Sequence, residues 1–577
     1  MHPLGFLRIS TASTATHVAN PAANRQAIER ALLAFQSSDV ILFPELCLTG
    51  YTCGELFLQD TLLESALHEL KTLCQSVGHQ VVVVGLPLKV QGRLYNIAAV
   101  LANGTVLGLV PKTHLPNYSE FYEARWFHSG GNVNEDMQQV DLPGIGQVPF
   151  GTDLLFQSAN VTIGVEICED LWVPIPPSSS QAIAGANVLL NLSASNETIA
   201  KANYRKQLVT MQSGKCIAAY AYASSGPTES TTDLVFGGHC IIAENGAILA
   251  ESKRIGTGLP IKKEDCADGL TSFATADIDL DRLDRDRRAF QTFHQSSDQS
   301  PIHFERIPFE LSVIPGSLCR WVEPHPFVPN SKQELHQRCA EVFEIQCAAL
   351  AKRISRLPEK LPLTIGVSGG LDSTLALLVA TQMCKKIETP TRRIVGMTMP
   401  GFGTTSKSLR NAQRLMELLD VTPETVDIRE LCFNTFRSLH HKPFGIPLDG
   451  LSPTSLQTAL EKLPKEHRND LVFENVQARM RTMLLMNRGF VLGTGDMSEL
   501  ALGWCTYNAD HMSMYNVNCS VPKTLVKFLV QYVADHVVSG EAQKLLIDII
   551  QTPITPELLP LAEDQSVLQS TEDTIGP

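Results

Sequence analysis

The sequence has 577 residues, of which 44% are hydrophobic and 19% charged, and its formal net charge at pH 7 is −13. This length exceeds a single hydrophobic core, so it predicts a globular protein of on the order of two to four domains. The acidic balance argues against a nucleic-acid partner, and the absence of an apolar run of roughly 18 residues argues against a membrane span.

The first half of the chain alternates short apolar runs with polar, helical stretches. This order predicts an α/β layered domain with a buried sheet over residues 1–295. The predicted strands are 40–44, 81–88, 96–101, 161–168, 187–193, 216–223 and 239–249. The predicted helices are 24–35, 61–77 and 201–216.

Residues 296–335 contain many prolines and no clean period, which predicts a linker whose aromatic side chains pack on a domain surface. A second domain over 336–577 follows, opened by the helix KQELHQRCAEVFEIQCAALAKRI. Strands at 362–367 and 392–399 are separated by a glycine loop and a helix, and this order predicts a parallel sheet.

The glycine loop reads SGGLDS over 368–373 and lacks the GK[ST] of a Walker A loop. Gly369 and Gly370 let backbone N–H groups approach an anion, and the hydroxyls of the loop add donors. Asp372 would repel bare phosphate, so we expect it to face a bound Mg²⁺. An ordinary strand–helix turn with serine caps remains an alternative for this pattern alone.

SGGLDST is the signature of the ATP pyrophosphatase, or PP-loop, superfamily, whose members split ATP between its α- and β-phosphates. Four further stretches, at 473–486, 493–518, 521–525 and 569–577, resemble the NAD synthetase family. The resemblance implies a Rossmann-like parallel-sheet domain that takes ATP as substrate with Mg²⁺, for which Asp372 is the candidate ligand.

The resemblance also implies site residues. The ATP-binding residues would be Gly366, Val367, Ser368, Gly369, Gly370, Leu371, Asp372, Ser373 and Thr494. The residues at deamido-NAD would be Asn475, Glu499, Trp504, Cys505, Thr506 and Tyr507. Arg479 and Arg481 belong to a helix whose apolar spacing equally fits a core helix with a solvated face, so a substrate role and a surface role both stay open.

The 14 cysteines are scattered without CxxC pairs, and the N-terminus lacks a signal-peptide pattern. Both observations favour reduced thiols in the cytoplasm and disfavour a zinc site or a disulfide framework. Cys168 differs from an ordinary buried cysteine because it ends a predicted strand, at the carboxyl edge of a sheet. Glu45 and Lys112 follow two other strands, and a carboxylate and a cation are what a reactive thiol needs.

These residues lie in FPELCLTGY (43–51), PKTHLPNYSEFYE (111–123) and GVEICEDLW (164–172), which resemble the nitrilase superfamily. The match is to the glutaminase domain of glutamine-dependent NAD synthetases and implies an α-β-β-α sandwich. It implies that Glu45 is the general base, Lys112 holds the tetrahedral intermediate and Cys168 attacks the γ-amide of glutamine.

By the same resemblance, Tyr118, Ser195 and Lys201 hold glutamine, and Lys201 falls where some relatives carry Arg. Lys offers a point charge where Arg would grip a carboxylate with two bonds. An additional carboxylate beside Lys112 is expected from Glu120 or Glu123, and the sequence does not choose between them.

The two halves together imply glutamine-dependent NAD synthesis in a homo-oligomer. Ammonia from glutamine would pass through an internal tunnel to adenylylated deamido-NAD, giving NAD, AMP, pyrophosphate and glutamate. Another amidation by the ATP half, or tRNA thiolation, is the second hypothesis, although the lack of a basic, aromatic-rich stretch argues against tRNA.

The chain stops at Pro577, directly after QSTEDTIGP, where relatives continue. The expectations from this chain end are a fragment, a naturally short protein, or a truncated synthetase with a working glutaminase. A non-catalytic chain that binds ATP or a partner is the third hypothesis.

Overall fold

A computed structural model describes the chain over residues 1–132, 138–231, 234–254, 270–299, 303–313, 315–463, 470–552 and 558. The chain divides into two compact units, Met1–Val322 and Glu323–Pro577. Residues 569–577, one of the four stretches that resemble the NAD synthetase family, lie outside the described ranges. No helix in the described part is both long and apolar enough to cross a membrane.

The described residues of the first unit form fifteen strands and six helices. The strands are β1 (Phe6–Thr14), β2 (Val40–Leu42), β3 (Val81–Val90), β4 (Arg93–Ala102), β5 (Thr105–Pro111), β6 (Gln139–Leu142), β7 (Gly146–Pro149), β8 (Leu154–Ser158), β9 (Val161–Ile167), β10 (Val188–Ser193), β11 (Ala219–Ser224), β12 (Cys240–Glu244), β13 (Ala247–Glu251), β14 (Leu270–Asp279) and β15 (Glu305–Pro308). The helices are α1 (Pro21–Ala34), α2 (Asp60–Ser76), α3 (Pro177–Ile183), α4 (Lys201–Cys216), α5 (Leu280–Ala289) and α6 (Gln291–Gln299).

Two sheets build the core of this unit. The first has the order β14-β1-β2-β3-β4-β5, and the second has the order β13-β12-β11-β10-β9-β8-β15. Alternate residues such as Val83 and Ile163 meet between the sheets, because successive side chains of a strand point to opposite faces. Helices α1 and α2 cover the outer face of the first sheet, and α3 and α4 cover that of the second. The predicted α-β-β-α sandwich is confirmed.

The strand predicted over 239–249 is wrong in one respect. The segment is a hairpin, since β12 and β13 pair antiparallel across Asn245 and Gly246. Both turn residues have positive φ, 44° and 82°, which a two-residue hairpin turn of this kind requires and which Asn-Gly adopts readily.

Part of the predicted linker belongs to the second sheet of the first unit. Strand β15 pairs parallel with β8, and the side chain of Phe309 is buried behind it. Arg320 forms an ion pair with Glu244, and Cys319 N–H donates to Asp277. The prolines of this stretch are compatible with a strand here because β15 is an edge strand, and an edge strand is the position in a sheet that tolerates proline best. The predicted domain limits at 295 and 336 stay predictions.

The second unit contains five strands and nine helices within the described ranges. The strands are β16 (Leu363–Gly366), β17 (Ile394–Thr398), β18 (Thr422–Thr425), β19 (Phe490–Gly493) and β20 (Tyr515–Asn516). The helices are α7 (Lys332–Ile354), α8 (Leu371–Lys386), α9 (Ser406–Leu418), α10 (Arg429–Ser438), α11 (Pro453–Glu461), α12 (Leu471–Met486), α13 (Met497–Leu502), α14 (Lys523–His536) and α15 (Glu541–Gln551).

The sheet of the second unit is parallel with the order β18-β17-β16-β19-β20. Helices α7, α8 and α14 pack on one face, and α10 and α12 pack on the other. The chain proceeds from β16 toward β17 and β18 before it returns to β19 on the opposite side. The sheet order therefore reverses between β16 and β19, which is where open α/β sheets bind ligands.

Candidate active sites

Three predicted residues of the first unit come from three strand ends. Glu45 lies in the turn after β2, Lys112 directly follows β5, and Cys168 directly follows β9. Lys112 Nζ donates to Glu45 Oε1 over 2.6 Å, and both side chains have 0% exposure. The N–H of Glu45 donates to the carbonyl of Ser193 at the end of β10, so this turn contacts the second sheet.

Glu123, and not Glu120, is the additional carboxylate beside Lys112. Its Oε1 and Oε2 accept from Lys112 Nζ over 2.7 and 2.8 Å, and Oε1 also accepts from the Tyr51 hydroxyl over 2.7 Å. Glu120 instead accepts from Asn196 Nδ2 over 2.7 Å. The sequence could not separate the two because both lie within one turn of an irregular loop.

Two carboxylates and one ammonium therefore share a dry cluster. Burial raises the pKa of Glu123 to about 7, with the charge of Lys112 opposing and that of Glu45 adding to the rise. Burial alone would lower the pKa of Lys112, but Glu123 and Glu45 raise it well above its ordinary value. Glu45 Oε2 is buried and has no hydrogen-bond partner among the described residues, so one carboxylate oxygen is available for a proton.

Cys168 begins a short 3₁₀ turn, Cys168–Leu171, in a left-handed conformation with φ +45°. Such a conformation is costly for a side chain with a Cβ, and it persists where the surroundings fix it. Burial and then the charge of Glu45 raise the pKa of the thiol to about 12, while Lys112 lowers it. The resting thiol is protonated and needs a base before it can attack.

Two of the predicted glutamine ligands lie around this turn. The Tyr118 hydroxyl donates to Glu169 Oε1 over 2.9 Å, and Glu169 is the residue after Cys168. Lys201 Nζ donates to Asn196 Oδ1 and lies 5.1 Å from the Phe121 ring centroid and 5.5 Å from that of Trp172. Burial lowers the pKa of Lys201. A desolvated cation between aromatic faces is suited to an anionic group.

Ser195 is buried and is held by a residue that sequence reasoning missed. Arg205 Nη2 donates to Ser195 Oγ and to the Asn196 carbonyl, each over 3.0 Å. Arg205 is fully buried and lies one helical turn after Lys201 on α4; the i, i+4 spacing of the two cations is the sequence signal that could have pointed to it.

The glycine loop of the second unit follows β16 and ends where α8 begins. Gly369 has φ +89°, and a Cβ there would lie 2.4 Å from the Ser408 carbonyl oxygen, so only glycine fits. Ser368 Oγ accepts from the Gly370 N–H over 3.1 Å and lies 3.1 Å from Ser373 Oγ. The side chains of Val367 and Leu371 are in the core, so only their backbone groups can reach a ligand.

A lysine–carboxylate cluster lies beside this loop. Lys523 Nζ is 2.5 Å from Asp372 Oδ2, 3.1 Å from Glu499 Oε1 and 3.0 Å from Asp496 Oδ2. The three carboxylates each place an oxygen within 4.8 Å of the others. Burial raises the pKa of Glu499 to about 7, and the same cluster raises that of Lys523.

This cluster has the oxygen ligands that a hard divalent cation prefers. Asp372 Oδ1 is buried without a hydrogen-bond partner in the part of the chain that the structure describes, so one carboxylate oxygen is free to coordinate. Sequence reasoning missed Asp496 and Lys523, although the stretches GTGD and VPKTL that contain them were singled out. Asp496 is also the N-cap of α13. Because Asp is common at N-caps, the sequence around it does not indicate a second role in the carboxylate cluster.

Thr494 is joined to the glycine loop through Asn518. The buried Asn518 Nδ2 donates to the carbonyls of Asp372 and Thr494, each over 3.0 Å. Asn518 thus connects the start of α8 to the segment after β19, across the reversal of the sheet.

The predicted deamido-NAD residues share one end of the second unit. Glu499 belongs to the carboxylate cluster, and the segment from Trp504 to Tyr507 follows α13, with 52% and 82% of those two aromatic residues exposed. Arg479 Nε donates to the Tyr507 carbonyl over 3.3 Å, which joins α12 to this segment, and Asn475 lies half-buried one turn earlier. Arg481 Nε donates to the Met399 carbonyl over 3.2 Å.

Comparison with known proteins shows the family to which the chain belongs. The carbon-nitrogen hydrolase family model matches residues 11–288, and the NAD synthase family model matches residues 343–576. The chain is 40% identical to the glutamine-dependent NAD(+) synthetase of Mycobacterium bovis and 39% identical to that of Mycobacterium leprae. Each alignment covers 99% of this chain and 82% of the relative.

A solved structure of glutamine-dependent NAD+ synthetase from Acinetobacter baumannii, in complex with adenosine diphosphate, is also similar. It is 23% identical with a TM-score of 0.39, over 96% of this chain and 85% of that one. On the two family matches and the mycobacterial relatives, the chain belongs to the glutamine-dependent NAD(+) synthetase family.

Proposed function

We propose that the first unit hydrolyses the side-chain amide of glutamine and that the second unit uses the ammonia to convert deamido-NAD to NAD at the expense of ATP. The observation that carries the proposal is the buried Glu45–Lys112–Glu123 cluster at the strand ends that also present Cys168. It supplies the base and the fixed cation that an otherwise protonated thiol needs.

The first half-reaction forms a thioester. Glu45 Oε2 takes the thiol proton as Cys168 Sγ attacks the amide carbon, and the Lys112 ammonium stabilises the oxyanion. The carbon–nitrogen bond then breaks, and the proton held by Glu45 goes to the leaving nitrogen, so ammonia departs neutral. Glu123 keeps Lys112 charged and oriented throughout.

The second half-reaction returns the free enzyme. Water attacks the thioester as Glu45 accepts its proton, the carbon–sulfur bond breaks, and the thiolate regains the proton while glutamate leaves. Tyr118, Ser195 and Lys201 hold glutamine, with Lys201 paired to the α-carboxylate as a point charge.

In the second unit, the N–H groups from Gly366 to Ser373 and the N-terminus of α8 receive the ATP phosphates. Thr494 lies on ATP, and Asn475, Glu499 and the segment 504–507 hold deamido-NAD. The carboxylate of deamido-NAD attacks the α-phosphorus, and pyrophosphate leaves. Ammonia then attacks the adenylylated carbonyl and gives up a proton to solvent, the bond from that carbon to the AMP oxygen breaks, and AMP leaves.

Mg²⁺ fits the carboxylate cluster because the cluster offers oxygen ligands with one unpartnered oxygen, Asp372 Oδ1. Asp372, Asp496 and Glu499 would hold it. Bound there, the ion would supply charge neutralisation for the triphosphate and for the leaving pyrophosphate. Lys523 limits the repulsion among the three carboxylates.

We further propose a cytoplasmic homo-oligomer in which ammonia moves internally. Every cysteine in the described ranges is a free thiol, which supports a reducing compartment. Exposed apolar side chains on α12 and α13 support self-association; they include Leu471, Leu500 and Leu502.

The test is AMP formation from ATP and deamido-NAD with glutamine or ammonium as nitrogen source, for the wild type and Cys168→Ala. We expect both sources to work in the wild type and only ammonium to work in the variant. Loss of both activities in Cys168→Ala would contradict separate sites. AMP formation that is independent of deamido-NAD would instead favour another amidation.

A further inference from the structure

Asp170 is a buried carboxylate two residues after the nucleophile, and it accepts hydrogen bonds from two separate segments. Its Oδ2 accepts from the N–H of Ile167 over 3.0 Å and from that of Thr113 over 3.4 Å. Its Oδ1 accepts from the His114 N–H over 2.8 Å and lies 2.9 Å from His114 Nδ1. The side chain of Asp170 is 2% exposed.

These donors lie next to two proposed catalytic residues. Ile167 immediately precedes Cys168, and Thr113 and His114 immediately follow Lys112. Strands β5 and β9, which carry Lys112 and Cys168 at their ends, belong to different sheets, so no ladder of backbone bonds fixes one end against the other. Asp170 provides this connection with a single side chain.

We propose that Asp170 is a positioning residue that fixes the Cys168 thiol relative to the Lys112 ammonium during glutamine hydrolysis. The proposal rests on the proposed function of the first unit. Asp170 acts through its hydrogen bonds: one anchors the left-handed backbone at Cys168, and the others anchor the segment after Lys112.

A purely structural role is the competing explanation, because an Asp in a first turn commonly caps it and adds only stability. Capping of the 3₁₀ turn accounts for the bond to Ile167. It does not account for the bonds to Thr113 and His114, which belong to the segment that carries Lys112.

The test uses the variants Asp170→Asn and Asp170→Ala in the full chain. For each variant we would measure kcat and KM for glutamine and the rate of ammonia-dependent NAD formation. The rate at which iodoacetamide alkylates Cys168 would be monitored by peptide mass spectrometry. We expect kcat to fall about 100-fold, as small displacements of reacting groups do. KM and the ammonia-dependent rate stay near those of the wild type, and alkylation of Cys168 slows.

Asp277→Asn is the matched control. Asp277 is as buried as Asp170, with 1% of the residue exposed. Both of its carboxylate oxygens accept hydrogen bonds from Arg8, away from the three strand ends. We expect this variant to lower the thermal midpoint of the protein without changing kcat for glutamine or the alkylation rate.

The proposal is overturned if Asp170→Asn keeps the wild-type kcat and alkylation rate while its thermal midpoint falls as in Asp277→Asn. Should Asp170→Ala fail to fold, the isosteric Asp170→Asn decides alone. A wild type without glutaminase activity would overturn the proposed function instead, and the alkylation rates would still decide whether Asp170 positions the thiol.

Discussion

Both units pair a lysine with carboxylates, but they expose these groups to different degrees. The side chains of Lys112 and Glu45 have no exposed surface, whereas those of Lys523 and Asp372 are 29% and 21% exposed. A dry cluster keeps its charges fixed and unscreened, which suits proton transfer and oxyanion stabilisation at a nucleophile. An open cluster with three carboxylates around one ammonium leaves uncompensated negative charge for a cation that accompanies phosphates.

This difference indicates that a lysine beside carboxylates does not by itself determine the chemistry of a site. Burial and the charge of Glu45 raise the pKa of the Cys168 thiol to about 12, so this thiol needs a base before it can react. The ion-pair partners of Lys523 in the described part of the chain are three carboxylates, and Lys523 lies against the start of a helix whose N-terminus attracts anions. Substitutions that act on one cluster should therefore leave the activity of the other unit intact.

The largest effect is expected for Glu45→Gln. The amide keeps the shape of the side chain but cannot accept the thiol proton, so glutamine hydrolysis should fall by about 10²–10⁴-fold. The measurement is glutamate release without ATP. Ammonia-dependent NAD formation by the same preparation is the control, and a glutaminase rate within twofold of the wild type would exclude Glu45 as the base.

Asp372→Asn should weaken the open cluster. Loss of this charge removes a cation ligand and leaves Lys523 with fewer partners, so ammonia-dependent AMP formation should fall on the order of 100-fold. Glutamate release from glutamine in the absence of ATP should not change. Normal AMP formation at limiting Mg²⁺ would show that Asp372 does not serve the cation.

Gly369→Ala tests the shape of the glycine loop. The added Cβ would lie 2.4 Å from the Ser408 carbonyl oxygen, in a backbone conformation with φ +89°. Strain of about 1–3 kcal/mol in the loop corresponds to roughly 5- to 150-fold weaker ATP binding. The measurement is the KM for ATP. Gly445→Ala is the matched control, because Gly445 has φ +82° but open space around its Cβ position, so its KM for ATP should stay unchanged.

The smallest effect concerns pH and Mg²⁺. Since burial raises the pKa of Glu499 to about 7, this carboxyl is protonated below that pH and must lose a proton before it can bind a cation. The Mg²⁺ concentration for half-maximal AMP formation should rise by up to about tenfold per pH unit as the pH falls from about 7 to 6. In Glu499→Gln the dependence should flatten, and a wild-type requirement that is equal at both pH values would contradict the assignment.

Much of this arrangement was accessible from sequence because its residues lie at strand ends next to recognisable apolar runs. Glu45, Lys112, Cys168 and the loop 366–373 were found in this way. That Cys168 acts together with Glu45 and Lys112 was implied only by the family resemblance, because β9 belongs to a different sheet from β2 and β5.

The remaining residues could not be found by the same reasoning, because their roles depend on contacts between segments that are distant in sequence. Glu123 was one of two candidates until the geometry chose it, and Asp170 reads as an ordinary turn residue. Lys523 reaches Asp372 across 151 positions of the sequence. The hairpin at Asn245 and Gly246 was missed although its signal is local, since Asn-Gly between two short apolar runs is typical of a two-residue hairpin turn.

The most direct test of the separation between the two clusters compares Lys112→Met with Lys523→Met. Each variant is assayed for glutamate release without ATP and for AMP formation from ATP and deamido-NAD with ammonium, so each serves as the folding control of the other. We predict that Lys112→Met loses only the first activity and that Lys523→Met loses only the second. Glutamine hydrolysis that survives in Lys112→Met, or the loss of both activities in either variant, would contradict the account.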